Sequence, residues 1–169
     1  YGPFGFCELF DPRFQPWTGG GEHFSFFNQP SAAEINFKTF CSSLSPLLSE
    51  SKHDFEKLEQ IEKDFSELMN KELMKMWANK LGLEHYNETL INEFFNLMVI
   101  SKADYTILFR KLSEIPDNLD SLKDSFYLPI NDELNNRWEV WLENWQSVLK
   151  KEGNIKAKSA SMKSLNPVY

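Results

Sequence analysis

Cysteine and histidine, the residue types that most readily bind metals or act as nucleophiles, are few in this sequence and scattered along it. They are Cys7, Cys41, His23, His53 and His85. None lies at the paired spacing that is typical of zinc ligands, so we expect no metal site from them. A catalytic cysteine needs a base that keeps its thiol ionised. We expect Cys41 to be inert on the apolar face of a helix, whereas the role of Cys7 and its pairing with Cys41 stay open.

Three further patterns are each typical of ordinary structure. Gly19-Gly20-Gly21 lacks the lysine and hydroxyl residue of a phosphate-binding loop, which favours a flexible loop tip. Trp138, Trp141 and Trp145 recur at helical spacing, which favours the buried face of a helix over a platform for a ligand. Acidic and basic side chains near 56–63 are predicted to lie on the solvated face of a helix. The sequence therefore holds no complete catalytic set.

The opening string Tyr1-Gly2-Pro3-Phe4-Gly5-Phe6 is unusual because glycine is costly to order. Residues 1–30 contain 5 Gly, 4 Pro and 7 Phe. Glycine and proline penalise a helix interior by about 1 and about 3 kcal/mol, respectively, while the aromatic content argues against disorder. We therefore expect a long ordered loop whose glycines let the backbone approach another group closely. The alternative is a frayed aromatic N-terminus folded onto a core.

Composition places the chain among folded domains and limits its partners. The 169 residues suffice for one core, and 41% of them are hydrophobic, including 15 Phe. The net charge of -7, without a dense basic run, makes nucleic acid and anionic membranes unexpected partners. No stretch approaches the roughly 20 apolar residues that cross a bilayer. Without a secretory signal pattern, we expect a cytoplasmic location.

Apolar spacing predicts a mainly α fold. The first predicted helix begins at Ser31, with Glu34 completing a capping box, and bends near Pro46. The second runs over about 53–81 and is closed by Gly82. This second helix carries the longest apolar stripe in the chain.

The second half of the chain carries four more expected elements. Their predicted caps and stops are Asn87 for a third helix, Ser101 to Asp104 and Pro116 for a fourth, and Asn131 and Gly153 for a long one. A short, weaker helix is expected at 119–126. Residues 154–163 are polar and rich in lysine, which favours an exposed linker. At most a short strand pair is expected, near 22–27.

Several strings, in order along the whole chain, resemble motifs of the selenoprotein O family, also labelled YdiU. The most specific are the opening string and Asp104-Tyr105-Thr106 with Phe109-Arg110. The supporting strings are Phe10-Asp11-Pro12, Asn28-Gln29-Pro30, Lys80-Leu81-Gly82-Leu83, 138–142 and 162–169. Members of that family are pseudokinases that transfer AMP from ATP to protein hydroxyls. The family's loop cysteine and arginine have no counterpart in 16–24, so the resemblance does not extend to redox control of that loop.

The resemblance implies three parts. They are an activation-loop-like segment at 1–30, a helical C-lobe core of a protein-kinase-like fold at 31–153, and a surface linker with the start of a further helix at 154–169. In the family, an aspartate that holds magnesium precedes the opening string. The residues expected near the nucleotide are therefore Tyr1, Gly2, Pro3, Phe4 and Gly5, with Phe4 and Phe6 packed into the C-lobe.

Asp11 and Arg110 are expected to support this loop. Asp11 is expected either to pair with Arg13 or Arg110, or to cap its own turn. Asp104 is expected to start a helix rather than to act in catalysis. No catalytic residue and no metal ligand is expected within the chain.

The resemblance also implies what lies elsewhere. The N-lobe, the ATP-binding residues, the base and the ligands of Mg²⁺ or Mn²⁺ are expected outside these residues, so that the chain is inactive alone. The intact enzyme would take ATP and protein substrates with Ser, Thr or Tyr hydroxyls, in the bacterial cytoplasm, or in the mitochondrion if eukaryotic. The alternative is a non-catalytic helical module that binds proteins; an independent enzyme using Cys7 is disfavoured.

Overall fold

A computed structural model describes residues 8–15, 21–48 and 51–168. Its α-helices are α1 (Gln29–Leu44), α2 (Lys52–Lys80), α3 (Glu88–Ser101), α4 (Tyr105–Leu112), α5 (Asp132–Glu152) and α6 (Ile155–Leu165). Short 3₁₀ helices cover Gly21–Phe24, Phe26–Asn28, Ser45–Leu48 and Leu119–Ser125. The described residues contain no strand, which confirms the mainly α prediction. Within the same residues, no helix has the length and apolar character needed to span a membrane.

The described residues form two compact units. One comprises residues 12–73, and the other comprises residues 8–11 together with 74–168. The boundary on the long helix α2 falls after Leu73.

The core of the unit that contains 74–168 is built from α3, α4 and α5. Its largest fully buried side chains include Trp138, Trp145, Phe94 and Phe109. The indole N–H of Trp141 donates to the Leu90 carbonyl at 2.8 Å, and that of Trp145 donates to the Leu81 carbonyl at 2.8 Å. The prediction that the tryptophans of α5 form a core stripe is confirmed.

Two predicted helix caps in this unit are confirmed. The side chain of Asn87 accepts the Leu90 N–H at 3.1 Å, and that of Asn131 accepts the Leu134 N–H at 2.8 Å. These bonds satisfy amide groups that the first turn of a helix otherwise leaves unpaired. The element expected at 119–126 forms as a 3₁₀ helix rather than an α-helix.

The capping box predicted to begin at Ser101 is wrong. Ser101 is the last residue of α3, and its hydroxyl donates to the Leu97 carbonyl at 2.7 Å. Lys102 then adopts a left-handed conformation (φ 48°), which lets the Ala103 N–H bond to the Met98 carbonyl at 3.2 Å. The helix α3 is therefore closed here, and α4 begins separately after Asp104.

The stretch 154–163, expected to be surface-exposed or a linker, is mostly exposed, but α6 occupies most of it, so the linker expectation is wrong. Asn154 caps this helix, and Met162 is fully buried. Polar bonds supply most of its other attachments: Lys158 Nζ donates to the Gly82 carbonyl at 2.9 Å, and the Ser159 hydroxyl donates to the Ser113 carbonyl at 2.7 Å. A helix held this way shows almost no apolar period in sequence.

In the unit of residues 12–73, α1 begins earlier than predicted. It starts at Gln29 with Pro30 in its first turn, a position that proline favours, so Ser31 is not its cap. Glu34 pairs with Lys38 at 2.6 Å rather than completing a capping box. The predicted bend near Pro46 appears as the end of α1 at Leu44, followed by a 3₁₀ helix.

The strand pair predicted at 22–27 is replaced by two 3₁₀ helices. The side-chain amide of Asn28 donates to the carbonyls of Glu22 and His23, both at 3.1 Å. Gln29 donates to those of Phe24 and Ser25, both at 3.0 Å. Carbonyls satisfied by these local amides are not available for a strand ladder.

The same unit pairs α1 with α2 through an aromatic contact. The rings of Phe37 and Phe65 stack with centroids 4.4 Å apart. Cys41 lies in α1 with 1% of its surface exposed, which confirms the prediction that it is buried.

Gly82 generates a stability prediction. It has φ 70°, and a Cβ added there would lie 2.7 Å from Met162 Sδ. We expect Gly82→Ala to lower the free energy of unfolding by about 2 kcal/mol, because alanine is strained at this φ and Met162 must move. Urea unfolding monitored by circular dichroism measures this change.

The matched control removes the methionine. In the Met162→Ala background, Gly82→Ala should cost less than it does in the wild type, since part of the clash is gone. Equal costs in both backgrounds would show that contact with Met162 contributes nothing.

Candidate functional site

The segment 8–11 is attached to the corner between α3 and α4 by Phe10. The side chain of Phe10 is 1% exposed. Its ring centroid lies 5.8 Å from that of Tyr105 and 6.5 Å from that of Phe95, with nearly parallel planes in both pairs. Its backbone N–H donates to the Ala103 carbonyl at 3.0 Å. A buried ring and a backbone bond at one residue fix both the position and the direction of the chain there.

Asp104 organises the corner to which Phe10 is attached. It is fully buried, and its Oδ1 accepts the Ile107 N–H at 2.8 Å, which confirms its predicted role at the start of a helix. Its own N–H donates to the Ser125 carbonyl at 2.8 Å. Its Oδ2 accepts a hydrogen bond from the hydroxyl of Tyr127 at 2.9 Å. This bond, and to a smaller extent burial, raises the pKa of Tyr127. Asp104 thus ties the start of α4 to the segment that follows the 3₁₀ helix Leu119–Ser125.

Lys80, the last residue of α2, carries a half-buried ammonium beside the same aromatic group. Its Nζ lies 4.7 Å from the ring centroid of Phe109 and 5.7 Å from that of Tyr105. Burial lowers the pKa of Lys80 to about 8. The ring faces favour the charged form and offset part of that effect. Within the described part of the chain, no carboxylate lies at ion-pair distance from Lys80.

The side chain of Arg110, on α4, reaches the C-terminal end of α6. Its Nη1 donates to the carbonyls of Lys163 at 2.9 Å and Asn166 at 3.2 Å. Asn166 is fully buried, and its amide donates to the Lys80 carbonyl and the Ser113 hydroxyl, both at 2.9 Å. These bonds attach Asn166, which follows α6, to the helix α4 that carries Phe109 and Arg110.

The predicted site residues fall partly outside the described residues. Tyr1, Gly2, Pro3, Phe4 and Gly5 lie there, as do Phe6 and Cys7. Asp11 is exposed and directly follows Phe10, so its predicted loop-supporting role stays a prediction. The bonds of Arg110 serve the end of α6 and do not bring it to Asp11. The sequence predicts no anchoring role for Phe10, although this residue begins the string Phe10-Asp11-Pro12.

The polar side chains at this corner make structural contacts. Asp104 is committed to capping and to Tyr127, and Lys80 offers a cation beside aromatic rings. Among residues 8–15, 21–48 and 51–168, no group of three or more His, Cys, Asp or Glu side chains could hold a metal ion. Phe10 is attached to this corner by its buried ring and by its backbone bond to Ala103.

Phe10 generates the first prediction from this geometry. Phe10→Ala should lower the free energy of unfolding by about 3 kcal/mol, because it deletes a buried ring that contacts two others. Leu9→Ala is the matched control, since Leu9 is exposed and should cost less than about 1 kcal/mol. Chemical unfolding of both variants measures the difference, and equal losses would contradict the anchoring role.

Lys80 generates a pH prediction. Its folded pKa is depressed, so the charged amine opposes folding most below pH 8, and this penalty is relieved as pH rises toward the ordinary lysine value of 10.5. The stability of Lys80→Met relative to the wild type should therefore fall as pH rises from about 7 to about 10. Urea midpoints of both proteins across that range measure it. A difference that does not change with pH would show that Lys80 is not perturbed.

Comparison with known proteins supports the resemblance over the whole chain. A family profile described as "Protein adenylyltransferase SelO" matches residues 1–169. Proteins named "Protein nucleotidyltransferase YdiU" are similar: that of Thiobacillus denitrificans is 30% identical over 177 residues and that of Tolumonas auensis 31% over 183, each alignment covering 100% of this chain and 34% of the relative. The relative from Aromatoleum aromaticum is 33% identical over 135 residues, covering 75% of this chain and 25% of its own length.

The chain thus spans about a third of the length of the curated relatives that it matches along its whole length. The matched strings include the segments that supply Phe10, Lys80, Asp104, Arg110 and Asn166, which the structure brings together in one unit. On the extent of the family match and the order of its motifs, this chain belongs to the SelO family of protein adenylyltransferases.

Proposed function

We propose that this chain supplies the activation-loop-like segment and helical C-lobe of an enzyme that transfers AMP from ATP to Ser, Thr or Tyr hydroxyls of proteins. Family membership and the YdiU relatives support nucleotidyl transfer in general. The acceptor hydroxyls and the kinase-like arrangement belong to the proposal. Soluble protein substrates rather than nucleic acid fit the net charge of -7.

The burial of Phe10 is the observation that carries this proposal. Nucleotidyl transfer, like phosphoryl transfer, depends on positioning and charge neutralisation, so a segment beside the nucleotide must be held rigidly. Phe10 fixes the chain 5 residues after Gly5, the last residue proposed to lie near the nucleotide. We propose that this attachment, with Asp11 steadying the following turn, limits where Tyr1 to Gly5 can lie.

The rest of the catalytic machinery is proposed to come from outside this chain. The described residues present no metal-binding group, so Mg²⁺ or Mn²⁺ with ATP would be held by ligands in the N-lobe and in the segment preceding Tyr1. Coverage of 34% of the relatives leaves room for those parts. We propose that this chain alone does not transfer nucleotide, and that the intact enzyme works in the bacterial cytoplasm, or in the mitochondrion of a eukaryote.

Labelled ATP tests this proposal. The full-length gene product is expected to transfer label from α-labelled ATP, but not from γ-labelled ATP, to a protein acceptor, because AMP carries the α-phosphate. This chain alone is expected to transfer neither label.

Three results would contradict the proposal. Transfer of the γ-label would indicate a protein kinase, and transfer of the α-label by this chain alone would place catalytic groups within it. A full-length product that transfers nothing, while this chain captures a protein without ATP, would favour the non-catalytic binding module.

A further inference from the structure

A groove of about 610 Å³ runs between α3 and α5, at a distance in sequence from the opening string. Its floor includes the buried side chains of Leu90 and Trp141. Val140, which is 50% exposed, and Val148 line it on the α5 side. A groove of this volume with an apolar floor is within the range of ligand-binding clefts.

Polar side chains along α5 line this groove without being used by the fold. Asn136, Asn144 and Ser147 all line it, and all are exposed. Neighbouring Asn135 donates to Glu139 at 3.1 Å, whereas no hydrogen bond joins the side chains of Asn136 or Asn144 to any described residue. Two amides therefore present both a donor and an acceptor to whatever enters the groove.

The spacing of these amides matches an extended chain. Asn136 and Asn144 are 8 residues apart on one helix, which places them about 12 Å apart along its axis. Four residues of an extended peptide span about 13 Å. Val140 lies midway between the two amides and offers an apolar contact for a side chain of that peptide. Asn136 and Asn144 can thus hydrogen-bond the backbone of a bound extended peptide at two points.

The charges of the groove set its polarity. At one end, Arg137 on α5 is neutralised by Glu93 on α3, with a 2.6 Å bond between them. At the other end lies Lys151, an exposed lysine with no ion pair among the described residues. The uncompensated charge of the groove is therefore positive at the end of α5, which complements an acidic side chain.

We propose that the groove between α3 and α5 binds an extended peptide segment, with its backbone on Asn136 and Asn144 and an acidic residue at Lys151. Because the proposed function is the modification of proteins, this segment would belong to the acceptor protein, and that part rests on the proposed function. The groove would hold the acceptor by a sequence remote from the hydroxyl that reacts. Binding at such a remote sequence raises the effective concentration of the acceptor hydroxyl at the site of transfer.

Selection from a random peptide library displayed on phage tests this proposal with the 169-residue chain as bait. The selected peptides are expected to carry acidic residues and to lack proline at the positions whose backbone amides bond to Asn136 and Asn144. A synthetic copy of a selected peptide should bind at least about tenfold more weakly to the double variant Asn136→Ala/Asn144→Ala than to the wild type, since two contacts to the peptide backbone are lost. Asn135→Ala is the matched control and should bind as the wild type does.

Lys151→Glu provides a second variant that does not depend on the amides. It should weaken the binding of the selected acidic peptides by at least about tenfold. The thermal unfolding temperature should stay unchanged, because Lys151 is exposed. Failure to enrich any peptide would overturn the proposal. So would equal binding of the selected peptides to the wild type, to the double variant Asn136→Ala/Asn144→Ala, to Asn135→Ala and to Lys151→Glu. Because peptide binding requires no ATP, a failure of nucleotide transfer leaves this outcome unaffected, and the two failures are distinguishable.

Discussion

The burial of Phe10 against the corner between α3 and α4 is the contact that fixes the segment 8–11 on its unit. A short segment with little secondary structure of its own is held there by one buried ring and one backbone hydrogen bond to Ala103. The corner can receive it because Lys102 closes α3 in a left-handed conformation and Asp104 starts α4. The aromatic group that Phe10 joins extends through Tyr105 and Phe109 to the tryptophans of α5.

Polar bonds make a second contribution to the same unit. The ammonium of Lys158 joins the Gly82 carbonyl to Glu152 at the end of α5, and Asn166 joins Lys80 to Ser113. The Lys158 ammonium and the Asn166 amide nitrogen donate to partners from several helices, which fixes the relative positions of those helices more narrowly than apolar packing alone. The helix α6 is part of the core because of them.

Sequence reasoning succeeded where a single local signal decides the structure. Asn87 and Asn131 precede strong apolar periods, so their caps were predictable, whereas α6 has one fully buried apolar residue, Met162, and long-range polar bonds that leave no period. Ser101 failed as a cap because its hydroxyl is used inside α3. At the candidate site, the family motifs located Asp104 and Arg110, but the anchoring role of Phe10 depends on tertiary packing that no local pattern encodes.

Hydrogen exchange at the backbone amide of Phe10 tests the anchoring claim most directly. This amide, bonded to Ala103, is expected to exchange as slowly as the amides within α4. Exchange of the Phe10 amide at the rate of an unstructured peptide would show that the segment is not held, and the proposed positioning of the opening string would lose its physical basis.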